Sequence, residues 1–169
     1  MNNKIELRTK AKALRKTLNI HLISEKAVEL VRNYDIYKSS KHVMLFYPTK
    51  YEIDLRELLN DDKNFYLPRV NKKQLDVCQY KQGDELKKSE FNIYEPVSKP
   101  IDTDIIELVI VPALVADNQN YRLGYGGGFY DRFMKGKNFS TLSVVPKELY
   151  MENLPAEEYD IPVDKVFFI

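Results

Sequence analysis

Apolar positions at Leu7, Ala11, Leu14 and Leu18 recur at helical spacing and predict a helix over about residues 3–19. On a neighbouring face Lys4, Arg8, Lys12 and Arg15 form a basic stripe. A second helix is predicted over residues 24–33, carried by Ala27, Val28, Leu30 and Val31. The period then changes. Residues 43–47 are a short apolar run stopped by Pro48, which predicts a buried strand. Residues 54–59 suggest a short helix with Asp54 near its N-terminus. Residues 65–67, ending before Pro68, and residues 75–80 read as further strands. Residues 108–111, preceded by Ile105 and Ile106 and closed by Pro112, form the clearest central strand. Such runs are buried on both faces, as in parallel sheets covered by helices. Strands over 141–145 and 166–168 complete the set. This order predicts an α/β fold with a mixed sheet, without internal repeats or a linker that would split the chain.

The composition narrows the classes of partner. A chain of 169 residues with 44% hydrophobic and 30% charged residues suits one soluble globular domain. The net charge of +1 offers no general field for nucleic acid or a membrane surface, so neither is expected as a partner. Cys78 is the only cysteine, which excludes an intramolecular disulfide and fits the reducing cytoplasm. The charged start lacks the apolar core of a signal peptide, and no run approaches a membrane span. His21 and His42 have no partners at metal-ligand spacing, and no Ser-His-Asp or Cys-His arrangement can be argued.

The chemistry concentrates in residues 122–132, where four of the six glycines stand at Gly124, Gly126, Gly127 and Gly128. Backbone stripped of side chains lets amides approach a ligand closely. Arg122 and Arg132 supply guanidinium donors for phosphate, Asp131 is a possible magnesium ligand, and Tyr125, Phe129 and Tyr130 offer flat faces for a ring. Residues 129–134 could begin a helix after the loop. The loop follows the central strand, and ligands of open α/β sheets bind beyond strand C-termini. It is not a Walker A motif, because no Gly-Lys-Ser/Thr ends it, and Phe129 stands where the dinucleotide fingerprint needs glycine or alanine. A tight turn beneath packed tyrosines is the bland alternative. For Lys4 and Arg8 the choice lies between a solvated helix face and ligand contact. For Glu52 and Asp54 it lies between surface and capping roles and, for Glu52, hydrogen bonds to an aminopyrimidine-like ring.

Val111, Pro112 and Ala113, then Asp117, then Arg122 through Arg132, resemble the 5-formyltetrahydrofolate cyclo-ligase family. Its hallmark is an aspartate followed by Arg-Leu-Gly-x-Gly-x-Gly-Tyr-Tyr-Asp-Arg. Lys4 to Arg8 is similar to the family's Lys-x-x-Leu-Arg, and Tyr47 through Glu52, Ile53 and Asp54 to its strand and Glu-Ile/Val-Asp/Glu. Leu67–Val70, Ile93–Pro96, Leu154–Pro155 and Tyr159–Asp160 follow collinearly, so the resemblance covers nearly the full chain. It implies a single three-layer Rossmann-like domain over residues 1–169, with a mostly parallel mixed sheet flanked by helices. It implies ATP- and magnesium-dependent closure of 5-formyltetrahydrofolate to 5,10-methenyltetrahydrofolate by a cytoplasmic enzyme, a monomer with a dimer left open. A non-catalytic folate- or nucleotide-binding module of the same fold is the alternative.

Carried residue by residue, the resemblance assigns ATP to Lys4, Arg8, Arg122, Leu123, Gly124, Tyr125, Gly126, Gly127, Gly128, Phe129 and Tyr130. It assigns the folate to Tyr47, Glu52, Tyr125, Gly126, Gly127, Gly128 and Phe129. Arg122, Tyr125 and Asp131 would be catalytic, and Asp131 and Asp160 would carry magnesium. Phe129 replaces the first tyrosine of the hallmark, Leu55 a common threonine and Asn92 a usual glycine.

Overall fold

The computed structural model describes residues 3–169. The chain opens with three helices, α1 (Asn3–Arg15), α2 (Ile20–Asn33) and α3 (Asp35–Ser39). Next come β1 (His42–Met44), β2 (Asn64–Asn71), β3 (Gln74–Gln79), β4 (Leu86–Lys88) and β5 (Tyr94–Pro96). Strands β6 (Leu108–Ile110), β7 (Val115–Asp117) and β8 (Arg122–Leu123) lead into α4 (Phe129–Met134). Strands β9 (Ser140–Val145), β10 (Tyr150–Met151) and β11 (Lys165–Phe168) end the fold.

Six strands form the main sheet in the order β11-β9-β6-β1-β2-β3, all parallel except β3, which returns antiparallel along β2. Side chains alternate across it. Val43, Leu108, Ile110, Leu142 and Val144 pack with Ala27, Val28, Val31 and Tyr37 from α2 and α3. Met44, Val109 and Val145 point the other way, toward Ala11 of α1 and Phe133 and Met134 of α4. The result is three layers, with a separate apolar core on each face of the sheet. Strand β6 is central to both. Leu108 has no exposed surface, and large-to-small changes at such sites cost about 2–5 kcal/mol. Leu108→Ala should lower the urea unfolding free energy by about that amount, and a loss below about 1 kcal/mol would contradict this placement.

From β1 the chain winds to β2 on one side, and later from β6 to β9 and β11 on the other. The strand order therefore reverses between β1 and β6. The crevice beyond the C-terminal ends of those two strands is where open α/β sheets bind ligands.

Several sequence expectations need correction. The first helix stops at Arg15 rather than near residue 19, because Asn19 caps α2 by accepting from the Leu22 amide at 3.2 Å. Helix α2 consequently starts before residue 24, and Ser24 is an interior residue whose hydroxyl accepts from the Asp54 amide at 2.9 Å. Strand β1 ends at Met44, although Leu45 still donates to Tyr66 at 2.9 Å. The short helix near residue 54 is a 3-10 turn over Arg56–Asn60, with Asp54 accepting from the Arg56 amide at 3.0 Å. Strand β2 runs through Pro68, where it has passed the end of β1 and pairs only with β3, so a missing N–H is tolerated. Asn92 adopts φ 64°, a left-handed conformation that explains why glycine suits this position and why asparagine can replace it.

Candidate active site

Helix α1 reaches the crevice with one face. Lys4, Arg8, Ala11 and Arg15 succeed one another at intervals of three and four residues and therefore line up. Arg8 Nε donates to the Gly124 carbonyl at 2.8 Å, which ties the helix to the glycine loop. Lys4 Nζ donates to Asp160 Oδ2 at 2.6 Å and lies 3.5 Å from Glu157. Lys12 stands over the Tyr125 ring at 5.6 Å. Arg15 turns into the protein and is buried, contrary to its expected place on a solvated stripe.

The glycine loop joins β8 to α4. Gly126 has φ 108°, beside the Arg8 guanidinium, and Gly128 has φ 68° as the residue before α4. The left-handed φ at Gly128 is what disfavours a side chain there, since the nearest atom to an added Cβ is the movable Arg132 guanidinium at 2.6 Å. Arg132 points outward. It donates to the Lys73 carbonyl and to the Gly127 carbonyl, each at 2.9 Å, and covers the Phe129 ring. It therefore clamps the loop to the β2–β3 turn and does not join Arg122. Phe129 packs edge-on against Phe91 at 6.1 Å.

Arg122 goes the other way, beneath the loop, with a side chain only 4% exposed. Nη1 donates to the Pro112 carbonyl at 3.3 Å, at the end of the crevice strand. Nη2 lies 3.8 Å from Asp131, and the guanidinium sits over the Tyr130 ring at 5.6 Å. Nε is buried with no hydrogen-bond partner. Burial pushes the Arg122 pKa down, and the charges of Asp131 and Asp160 oppose that shift. The Tyr130 phenol is pushed up, first by burial and then by Glu52, with Arg122 opposing.

Asp131 Oδ1 accepts from the Ile161 amide at 3.1 Å, which brings Asp131 and Asp160 into one neighbourhood. Among the described residues no group of three His, Cys, Asp or Glu side chains could cage a metal ion. Magnesium does not need one: it is commonly held by one or two carboxylates, waters and substrate phosphates. The hydrogen bond and ion pair of Asp131 both involve Oδ1. Asp160 Oδ2 is engaged by Lys4 and by the Glu157 amide at 2.7 Å. The pair fits a metal that arrives with phosphate, with Asp131 the freer ligand.

Glu52 lies on the far side of the loop. It is 7% exposed, closes a turn with Thr49, and accepts from the Thr49 amide at 2.9 Å. Tyr125 is 44% exposed, yet its phenol is pushed up, first by burial and then by the adjacent Glu52 carboxylate. The Tyr125 phenol thus lies within electrostatic reach of the Glu52 carboxylate. A cavity of about 450 Å³ borders Glu52 and is lined also by Ser24, Val28, Thr49, Asp54 and Arg56. Tyr47 accepts from Arg56 at 2.8 Å, lies under that guanidinium and packs against Tyr94.

Arg8 thus meets the glycine loop and Lys4 meets Asp160, while of the expected residues the cavity of about 450 Å³ is lined by Glu52 and not by α1 or the loop. Two structural features escaped the sequence reading. Asp117 is buried and fully used, accepting from the Gln119, Tyr121 and Leu154 amides, so it builds the β7–β8 turn. Arg15 was legible in principle, because it falls four residues after Ala11 on the buried face. The remaining candidates have ordinary roles. His21 is exposed beside Glu25, His42 pairs with the Tyr66 hydroxyl, and Cys78 is buried with its thiol pushed up by burial. No helix among the described residues is long and apolar enough to cross a membrane.

Comparison with known proteins agrees with this geometry. The model of the 5-formyltetrahydrofolate cyclo-ligase family matches residues 1–168. A protein of Haemophilus influenzae named 5-formyltetrahydrofolate cyclo-ligase is 27% identical, covering 94% of this chain and 93% of its own length. The NMR structure of Aquifex aeolicus 5,10-methenyltetrahydrofolate synthetase superposes with a TM-score of 0.85 at 32% identity, over 98% of this chain and 89% of that one. A 5,10-methenyltetrahydrofolate synthetase from Mycoplasma pneumoniae shares the fold at 19% identity and TM-score 0.73, over 97% of both chains. Matched over its whole length in sequence and fold, the chain belongs to the 5-formyltetrahydrofolate cyclo-ligase family.

Proposed function

We propose that residues 1–169 act as one cyclo-ligase domain that closes 5-formyltetrahydrofolate to 5,10-methenyltetrahydrofolate, using ATP and magnesium and releasing ADP and phosphate. The observation that carries this reading is the Arg8–Gly124 hydrogen bond, which brings the basic face of α1 to the glycine loop beside Glu52 and Tyr125. Phosphate donors and a folate-type carboxylate thereby share one crevice in a chain of this family.

The reaction asks for positioning more than covalent help. The formyl oxygen attacks the γ-phosphorus of ATP, the bond to ADP breaks, and the N5 lone pair yields an iminium phosphate. N10 then attacks the activated carbon and loses its proton, and the carbon–oxygen bond breaks to release phosphate. Arg8, Lys4 and the amides of residues 123–130 hold the phosphates, with Lys4 exchanging Asp160 for phosphate. Arg122 supplies fixed positive charge beneath the transferring group. Asp131 and Asp160 are the ligands for magnesium, which when bound neutralises phosphate charge. Glu52 accepts hydrogen bonds from the pterin, Tyr47 contributes to folate binding from beside Arg56 of the cavity wall, and Tyr125, Phe129 and Gly126 to Gly128 lie where the two substrates meet. The single buried Cys78 suits work in the reducing cytoplasm.

Purified protein with ATP, magnesium and 5-formyltetrahydrofolate should develop the methenyl absorbance band. Chelation by EDTA should abolish it and excess magnesium restore it. Unchanged turnover in EDTA would refute the metal dependence, and folate binding without product would favour a non-catalytic module.

A further inference from the structure

Arg15 is the one charged residue on α1 that is buried, at 3% exposure, and it makes no ion pair among the described residues. Its guanidinium instead donates to backbone carbonyls: to Tyr51 at 3.3 Å, to Ala113 at close range and to Leu114 at 3.4 Å. Nε is buried and unpartnered. A buried cation held only by carbonyls is costly, and leucine would fill this core position more cheaply. Its value must lie in what it joins.

Those carbonyls belong to the two segments that flank the crevice. Tyr51 lies in the connection after β1, immediately before Glu52, and Ala113 and Leu114 lie in the connection after β6. Arg15 therefore spans the point where strand order reverses, from the protein side. Burial pushes the Arg15 pKa down, and the Glu52 carboxylate is among the groups that oppose that shift. The same helix carries Arg8 to the glycine loop, so one rigid element sets both halves of the crevice.

We propose that Arg15 is a positioning residue for folate recognition, pinning the Tyr51–Glu52 backbone to the end of the central strand so that Glu52 meets the substrate ring in a fixed pose. It does not touch ligand. This inference rests on the function proposed above, and the experiment separates the two. The variants are Arg15→Gln, which removes the charge and shortens the reach, and Arg15→Lys, which keeps the charge and some donors. Arg15→Gln should raise KM for 5-formyltetrahydrofolate about tenfold, the scale of a lost charge-assisted hydrogen bond, with KM for ATP unchanged. Arg15→Lys should recover part of that loss. Because Arg15 acts through Glu52, the double variant with Glu52→Gln should be no worse than Glu52→Gln alone. A purely structural role would instead lower the active fraction and kcat, leave both KM values alone, and add to the Glu52 effect. Unchanged folate KM in folded Arg15→Gln, or equal rises for folate and ATP, would overturn the proposal.

Should both variants fail to fold, the wild-type protein still provides a test. The Arg15 Nε–H resonance should shift on adding 5-formyltetrahydrofolate and not on adding a non-hydrolysable ATP analogue; no folate-induced shift would overturn the proposal. Wild-type protein that binds folate without turnover would sink the cyclo-ligase reading alone, and calorimetric folate affinities of wild type and Arg15→Gln would then decide the Arg15 role. A wild type that binds no folate would end both.

Discussion

Replacing Arg122 by alanine should lower kcat about a thousandfold, the scale at which losing a fixed positive donor acts on phosphoryl transfer. The side chain is 4% exposed, packed over Tyr130 and close to Asp131, so its charge operates in a poorly solvated region where screening by water is weak. Removing it also leaves Asp131 without its nearest cation and opens space beneath the loop. Some stability will be lost, so the comparison requires a circular dichroism spectrum and a melting curve showing that the variant is folded at the assay temperature. Arg122→Lys should recover only part of the rate, because an ammonium cannot reach the Pro112 carbonyl and Asp131 together. Folded Arg122→Ala with near-normal kcat would remove this residue from the catalytic machinery.

The second large effect is expected at Glu52. Glu52→Gln preserves shape and an acceptor for the Thr49 amide, so the local turn should survive. What disappears is the charge that would accept hydrogen bonds from the folate ring. Such bonds are worth about 1.5–3 kcal/mol each, which predicts a KM increase of about tenfold to a hundredfold for 5-formyltetrahydrofolate. KM for ATP should stay within about twofold, as the phosphates lie against α1 and the loop. Equal losses for both substrates would mean that Glu52 supports the fold of the crevice and not the folate.

How far the chain could be read before its structure depended on the length of each signal. The run over 108–111 is wholly apolar and proved to be the central strand, because a segment buried on both faces has few other homes. Strands 75–80, 141–145 and 166–168 were similarly legible to within a residue or two. The small sheet of β7, β8 and β10 was not, since strands of two or three residues carry no period. Proline hid the length of β2, because a proline rule for central strands does not apply once a strand outruns its neighbour. In the crevice the glycine loop announced itself by residue type alone. The inward turn of Arg15 and the outward turn of Arg132 did not, because identical side chains met opposite surroundings. Helical phase relative to Ala11 separates Arg15 from Lys12 but not from Lys4 and Arg8, and only the position of Lys73 on the neighbouring turn accounts for Arg132.

In the function proposed, one site couples phosphate transfer from ATP to ring closure of a formyl folate. Its most direct test follows methenyl absorbance and ADP release together in the same reaction of purified protein, 5-formyltetrahydrofolate, ATP and magnesium. The two should rise in equal amounts, neither should appear when the folate is omitted, and no methenyl product should form without ATP. ADP release independent of the folate, or ring closure that proceeds without ATP, would contradict it.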